Sequence, residues 1–221
     1  ALPGVQVSNP ADVGLSAARL GKLSTAFAKE IADKALPGVT IMVSRKGKLV
    51  YANAFGTREA GKPDPMALDS IFRIYSMTKP MASVAAMILV EDGKLQLSDP
   101  VSKYLPDFKN LTVFTATGTE PARPMSVQDL LRHTSGLGYG EISANAALKD
   151  GLAKAGQYKP GDIDFDARDL SPAEQVRRLA QVPLLRQPGV AWEYSLSTDV
   201  LGRVIEAASG QRLGDFMAQR I

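Results

Sequence analysis

A serine stands three residues before a lysine in Ser76-Met77-Thr78-Lys79, a pair suited to nucleophilic chemistry. A hydroxyl attacks poorly until a neighbouring base removes its proton. On a helix, residues i and i+3 lie side by side, so Ser76 and Lys79 would face the same way. Pro80 would collide with the Ser76 carbonyl deep inside a helix, which puts the helix start near Ser76. Backbone N–H groups point outward at such an end and support a developing oxyanion. Lysine ionises near pKa ~10.4 in water, so burial or nearby positive charge must favour the neutral amine before it can accept the serine proton. With 16 serines and 13 lysines in 221 residues, chance yields roughly one S-x-x-K. Taken alone, the pair reads more readily as a capping serine and a surface lysine.

Other chemistries are narrowed by what the sequence holds. His133 is the only histidine, so a Ser-His-Asp hydrolase would have to use it, and no G-x-S-x-G elbow occurs. H-E-x-x-H zinc binding needs a second histidine. With no cysteine there are no disulfides, thiolate metal sites or cysteine nucleophile. Gly56–Lys62 starts like a P-loop, but Pro63 replaces the Mg²⁺-binding hydroxyl. Gly136-x-Gly138 and Gly138-x-Gly140 lack the third glycine of a dinucleotide loop, having Glu141 and Ser143 there. Asp162, Asp164 and Asp166 open like a calcium loop, yet Ala167 and Ala173 stand where Gly and Glu are required, so the run reads as a solvated acidic loop. No cofactor is expected.

Composition sets the frame. The chain is 45% hydrophobic and 22% charged, with net charge +3, an ordinary globular balance. Basic residues are interspersed; Arg177-Arg178 makes no nucleic-acid stripe. The longest mainly apolar run, Met81–Val90, is too short for a bilayer. Ala1–Gly4 has neither the basic nor the apolar region of a leader. A soluble protein is expected, and the sequence does not decide between cytoplasm and periplasm of a bacterium.

Hydropathy patterning supplies the positioning elements. Leu20, Leu23, Phe27 and Ile31 mark a helix over 16–34 capped by Ser16. Val39–Ser44 and Leu49–Phe55 form a hairpin through Gly47, followed by a loop over 57–69. From about residue 76 the period turns helical, with Met77, Met81, Val84, Ile88 and Leu89 on one face and Gly93 as the stop. A short helix capped by Ser126 runs into the turn Thr134-Ser135-Gly136. Residues 138–170 have the least regular pattern. Ser171-Pro172-Ala173-Glu174 opens another helix, Pro188-Gly189 turns the chain, and a helix with Val200, Leu201, Val204 and Ile205 stops at Gly210. After residue 110 only Leu111–Thr115 reads as a strand. An isolated hairpin is marginal, so the sheet is expected to acquire other strands.

Four ordered segments carry a family resemblance. Phe72-Arg73-Ile74-Tyr75-Ser76-Met77-Thr78-Lys79-Pro80 resembles the nucleophile segment of the serine β-lactamase-like family, and more specifically of family VIII carboxylesterases. Glu91–Val101 resembles the stretch after the nucleophile helix. Leu130-Leu131-Arg132-His133-Thr134-Ser135-Gly136-Leu137 resembles the family's helix-end turn. Pro188-Gly189 with Trp192-Glu193-Tyr194-Ser195-Leu196 resembles the second catalytic motif.

The resemblance implies an α+β, β-lactamase/transpeptidase-like fold: an antiparallel sheet with flanking helices plus a mainly helical domain. Residues 1–75 would supply the first helix and hairpin, and 76–221 the nucleophile helix and helical region. The third family motif (K-T-G, or H-x-G and W-G-G in the esterases) and its strands are not in this sequence, and a second chain or segment is expected to carry them. By resemblance Ser76 is the acylated nucleophile, Lys79 shares in its activation, and Tyr194 is the general base or acid. A phenol with pKa about 10 needs adjacent cations for that role. His133 is implied to be structural, and Trp192 a pocket wall or core residue. Leu196 stands where lactamases place Asn, which favours small carboxylic esters over β-lactams; β-lactam or D-amino-acid amide hydrolysis is the alternative within the class. Neither nucleic acid nor membrane is an expected partner. The competing class is a non-catalytic, penicillin-binding-like module.

Overall fold

The computed structural model describes residues 6–162 and 169–221. Ala1–Gly4, and Asp164 and Asp166 of the acidic run, lie outside the described residues. Contacts divide the chain into two compact units, one ending at Arg73 and the other spanning Ile74 to Ile221.

In the first unit, α1 (Ala17–Ala32) starts where Ser16 accepts a hydrogen bond from the Arg19 N–H, the cap expected from sequence. Its Leu20, Leu23, Phe27 and Ile31 are the half-buried stripe. β1 (Gly38–Arg45) and β2 (Lys48–Gly56) pair antiparallel, with a register irregularity between Val43 and Ser44. Helix and hairpin meet through Phe27 and Phe55, whose rings lie 6.5 Å apart, and through Ser24 Oγ, 2.9 Å from Tyr51 Oη.

The second unit holds the main core. After a 3₁₀ turn, Tyr75–Met77, α2 (Thr78–Glu91) buries Ala82, Ala85, Ala86 and Leu89. The regular helix begins two residues after Ser76, which itself lies in the 3₁₀ turn that leads into it. A second hairpin follows, β3 (Thr112–Thr115) and β4 (Gly118–Pro121), so this region is less purely helical than expected. Leu184 extends it, exchanging backbone hydrogen bonds with Thr112 and Phe114. Residues 138–170, expected to be irregular, contain α4 (Ala146–Lys154), which buries Leu148 and Leu152; α3 (Val127–Leu131) precedes it, α5 (Pro172–Leu179), α6 (Ser197–Ser209) and α7 (Leu213–Arg220) follow. α6 is the central helix. Its Val200, Leu201, Val204 and Ile205 are buried in the core shared with α2, α3, α5 and α7.

The turn after α3 is fixed at both ends. Ser126 and Asp129 form a full capping box, and Asp129 also accepts from the Thr134 hydroxyl at 2.7 Å. Gly136 adopts φ +83, and a Cβ there would lie 2.1 Å from the Arg186 carbonyl oxygen. Glycine is required on both counts. Among the described residues no helix is long and apolar enough to cross a membrane.

Candidate active site

Ser76 lies in the 3₁₀ turn at the entrance to α2, and Lys79 lies in the first turn of the helix. The i, i+3 spacing expresses itself directly: Lys79 Nζ donates to Ser76 Oγ at 3.1 Å. Tyr75, immediately before the nucleophile candidate, has φ +44. Such a backbone is uncommon for a non-glycine residue and concentrates at functional turns.

Tyr194 comes from far along the chain, on the segment entering α6. Its hydroxyl donates to Ser76 Oγ at 2.5 Å across a separation of 118 residues. Lys79 Nζ lies 4.8 Å from the Tyr194 ring centroid. All three residues singled out from sequence, Ser76, Lys79 and Tyr194, therefore meet around one oxygen.

Aromatic rings set the tyrosine's orientation. His133 lies 4.9 Å from the Tyr194 ring, Tyr139 5.6 Å and Trp192 6.3 Å, centroid to centroid. Trp192 is 68% exposed, so it is a surface wall of the site and not a core residue. Leu196 is only 9% exposed and belongs to the helical core.

Electrostatics separate the phenols. Burial tends to raise the Tyr194 phenol, but hydrogen bonds with Lys79 and Ser76 and the Lys79 charge outweigh it, and the net shift is downward. Tyr139 moves the other way, pushed well up by burial and then by the nearby Asp199 carboxylate, to which it is hydrogen-bonded. Surrounding protein raises Asp199, against the opposing pull of Lys79. The two neighbouring phenols are thus shifted in opposite directions.

Tyr139 and Asp199 escape the sequence reading. Tyr139 sits between Gly138 and Gly140 in an unpatterned stretch. Asp199 looks like an ordinary first-turn acid of α6. The flanking Gly138 and Gly140 are the only mark on Tyr139 in the sequence, and the structure accounts for them by packing: a Cβ on Gly140 would meet the Tyr158 ring at 2.3 Å.

Residues 23–221 match the Beta-lactamase family model. Esterase EstB of Burkholderia gladioli is 38% identical over 208 residues, covering 93% of this chain and 50% of that protein. ML-236A carboxylate methylbutanoyltransferase mlcH of Penicillium citrinum is 30% identical, covering 96% of this chain and 51% of the transferase. The solved structure of EstCE1, described as a hydrolase with promiscuous acyltransferase activity, superposes with a TM-score of 0.76 at 32% identity, covering 91% of this chain and 50% of its own. The chain spans about half the length of these relatives. Because the family model matches most of the chain, and both a 38% identical relative and the EstCE1 fold agree with it, the chain belongs to the Beta-lactamase family.

Proposed function

We propose that this chain carries the nucleophile half of a serine hydrolase that cleaves small carboxylic esters through a Ser76 acyl-enzyme. The observation that carries this reading is the convergence of Lys79 Nζ and Tyr194 Oη on Ser76 Oγ, at 3.1 and 2.5 Å.

The chemistry follows from the charges. Tyr194, ionised with Lys79 beside it, takes the Ser76 proton as Oγ bonds to the ester carbonyl carbon. The positive end of α2 faces the developing oxyanion. Collapse expels the alcohol, which takes the proton back from Tyr194. Water then attacks the acyl-serine, gives its proton to Tyr194, and the carboxylic acid leaves as Ser76 regains a proton. In this scheme Lys79 acts as the cation that favours the phenolate and orients the serine.

Leu196 supports esters over lactams, since a buried leucine offers no hydrogen bond to a lactam's amide side chain. Nitrocefin turnover faster than p-nitrophenyl ester turnover would reverse that ranking. A second fate of the acyl group, transfer to an acceptor alcohol, is supported by the transferase and EstCE1 relatives. It is checked by adding an alcohol and measuring new ester against free acid.

The deciding experiment is labelling with a fluorophosphonate serine probe, with intact-mass and peptide mapping. One adduct on the Ser76 peptide, lost together with ester turnover in Ser76→Ala, is expected. No adduct on folded protein favours the non-catalytic module.

A further inference from the structure

Behind Tyr194 runs a row of hydroxyls that the reaction above does not use. Ser135, Ser195 and Ser197 are all fully buried. Ser135 Oγ lies 2.7 Å from Ser197 Oγ, which lies 2.6 Å from Ser195 Oγ. Ser195 Oγ is 3.5 Å from His133 Nδ1. The backbone adds three donors: Leu137 N–H to Ser135 Oγ at 3.2 Å, Ser197 N–H to Ser195 Oγ at 3.3 Å, and Ser195 N–H to His133 Nδ1 at 3.3 Å.

Proton counting gives the row a direction. Each buried hydroxyl must place one proton on an acceptor. Running Ser135 to Ser197 to Ser195 to His133, every proton is used and the last ends on Nδ1, which must then be bare. In the reverse direction the Ser135 proton has no acceptor among the described residues, because its other partner, the Leu137 N–H, is itself a donor. A proton on Nδ1 would also oppose the Ser195 N–H. The 3.5 Å link is at the outer limit of a hydrogen bond, but the backbone donor selects the same tautomer independently. The neutral ring therefore carries its proton on Nε2.

We infer that His133 is a positioning residue: the Ser135–Ser197–Ser195 row holds its imidazole neutral and in the Nε2–H tautomer, and the ring backs Tyr194 so that the phenol stays on Ser76. The inference rests on the proposed reaction at Ser76. His133 itself is held in the left-handed conformation, φ +55, by the turn that Gly136 closes. The Glu193 N–H donates to the His133 carbonyl oxygen at 2.8 Å, which joins this turn to the Tyr194 segment.

The titratable groups facing the ring are Lys79 from α2 and Tyr194 from the segment before α6, with Trp192 packed edge-on. Burial first, and the Lys79 charge second, keep His133 below the usual histidine range. A protonated ring would break the Ser195 N–H bond and put a second cation beside Lys79.

The test is ¹⁵N NMR of histidine-labelled full chain, with His133 assigned by its loss in His133→Asn. A neutral Nε2–H ring at pH 7 that titrates below free histidine is expected. Ser197→Ala interrupts the row away from the reacting atoms. With one hydrogen bond lost, kcat on p-nitrophenyl acetate is expected to fall about three- to tenfold with little change in KM. His133→Ala should fall further. His133→Asn, whose Oδ1 can accept the Ser195 N–H, should recover most of that loss. An Nδ1–H or cationic ring at pH 7, or equal kcat in the Ala and Asn variants, overturns the inference. The wild-type NMR result stands even if a variant fails to fold. Ester turnover that survives Ser76→Ala would remove the reaction His133 serves, and the NMR result distinguishes that failure from a wrong tautomer.

Discussion

Tyr194→Phe removes one oxygen and leaves the ring in place. The packing against His133, Tyr139 and Trp192 at 4.9, 5.6 and 6.3 Å is kept, so the orientation of the residue survives. What is lost is the hydrogen bond to Ser76 Oγ at 2.5 Å and the group proposed to move the proton. A half-exposed hydroxyl hydrogen bond contributes about 0.5–1.5 kcal/mol to stability, so the variant should stay folded near the wild-type melting temperature. Positioned proton transfer supplies about 10²–10⁴ in rate, which is about 2.7–5.4 kcal/mol of barrier. The loss should fall on kcat, with KM changed much less, because the hydroxyl acts on the transition state. Stopped-flow release of p-nitrophenol from an acetate ester separates the acylation burst from steady turnover, and both should slow. Combining the change with Lys79→Met should cost much less than the product of the single losses, since both act through one oxygen. A folded Tyr194→Phe protein with kcat within tenfold of wild type would refute the assignment of Tyr194 as the proton carrier.

Three further outcomes follow from the same contacts. The rate should rise with pH through the Tyr194 ionisation, at lower pH than a free phenol because the shift is downward; Lys79→Met removes the Lys79 hydrogen bond and charge, leaving only the Ser76 bond to lower it, and should move this limb upward in a pH–rate profile. An unmoved limb would leave Lys79 no electrostatic role. Gly136→Ala must bear a positive φ, about 1–2 kcal/mol, and a carbonyl overlap that displaces the turn, about 1–3 kcal/mol, so differential scanning calorimetry should show a fall of about 5–15 °C. Asp129→Ala should cost about 2–4 kcal/mol in urea unfolding by removing the carboxylate half of the capping box, which accepts from the Ser126 N–H and hydroxyl, and the Thr134 bond. Burial pushes Asp129 up, but the Ser126 hydroxyl and N–H, Thr134 and Arg132 outweigh it and the net shift is down. Its contribution is therefore present above the ordinary carboxylate range and disappears as pH falls through the depressed value, a loss absent from the variant.

What could be read from the chain depended on how local the determinant was. Ser76 and Lys79 were legible because three residues on a helix fix a distance, and the structure returns 3.1 Å. The Ser16 and Ser126 caps were legible for the same reason. Tyr194 became visible only through resemblance, since no periodicity links residues 118 apart. β4 was missed because Gly118-Thr119-Glu120-Pro121 is exposed throughout and has no apolar alternation to detect. α4 was obscured by Gly151 in its middle. That glycine is explained by packing: a Cβ there would lie 3.0 Å from Val182 Cγ1. The serine row was opaque because small hydroxyls normally signal surface, and only the fold shows that three of them share one buried interior.

Trp192 is the only tryptophan of the 221 residues, and it stands at the wall of the site, mostly in water. Its intrinsic fluorescence is therefore a reporter built into the candidate site. An ester seated against the indole would strip water from it and shift the emission to the blue. The His133 ring, centred 6.3 Å away, would quench that emission on gaining a proton. With Trp192→Phe as the blank, one cuvette could follow occupancy and histidine charge at this site without any added label.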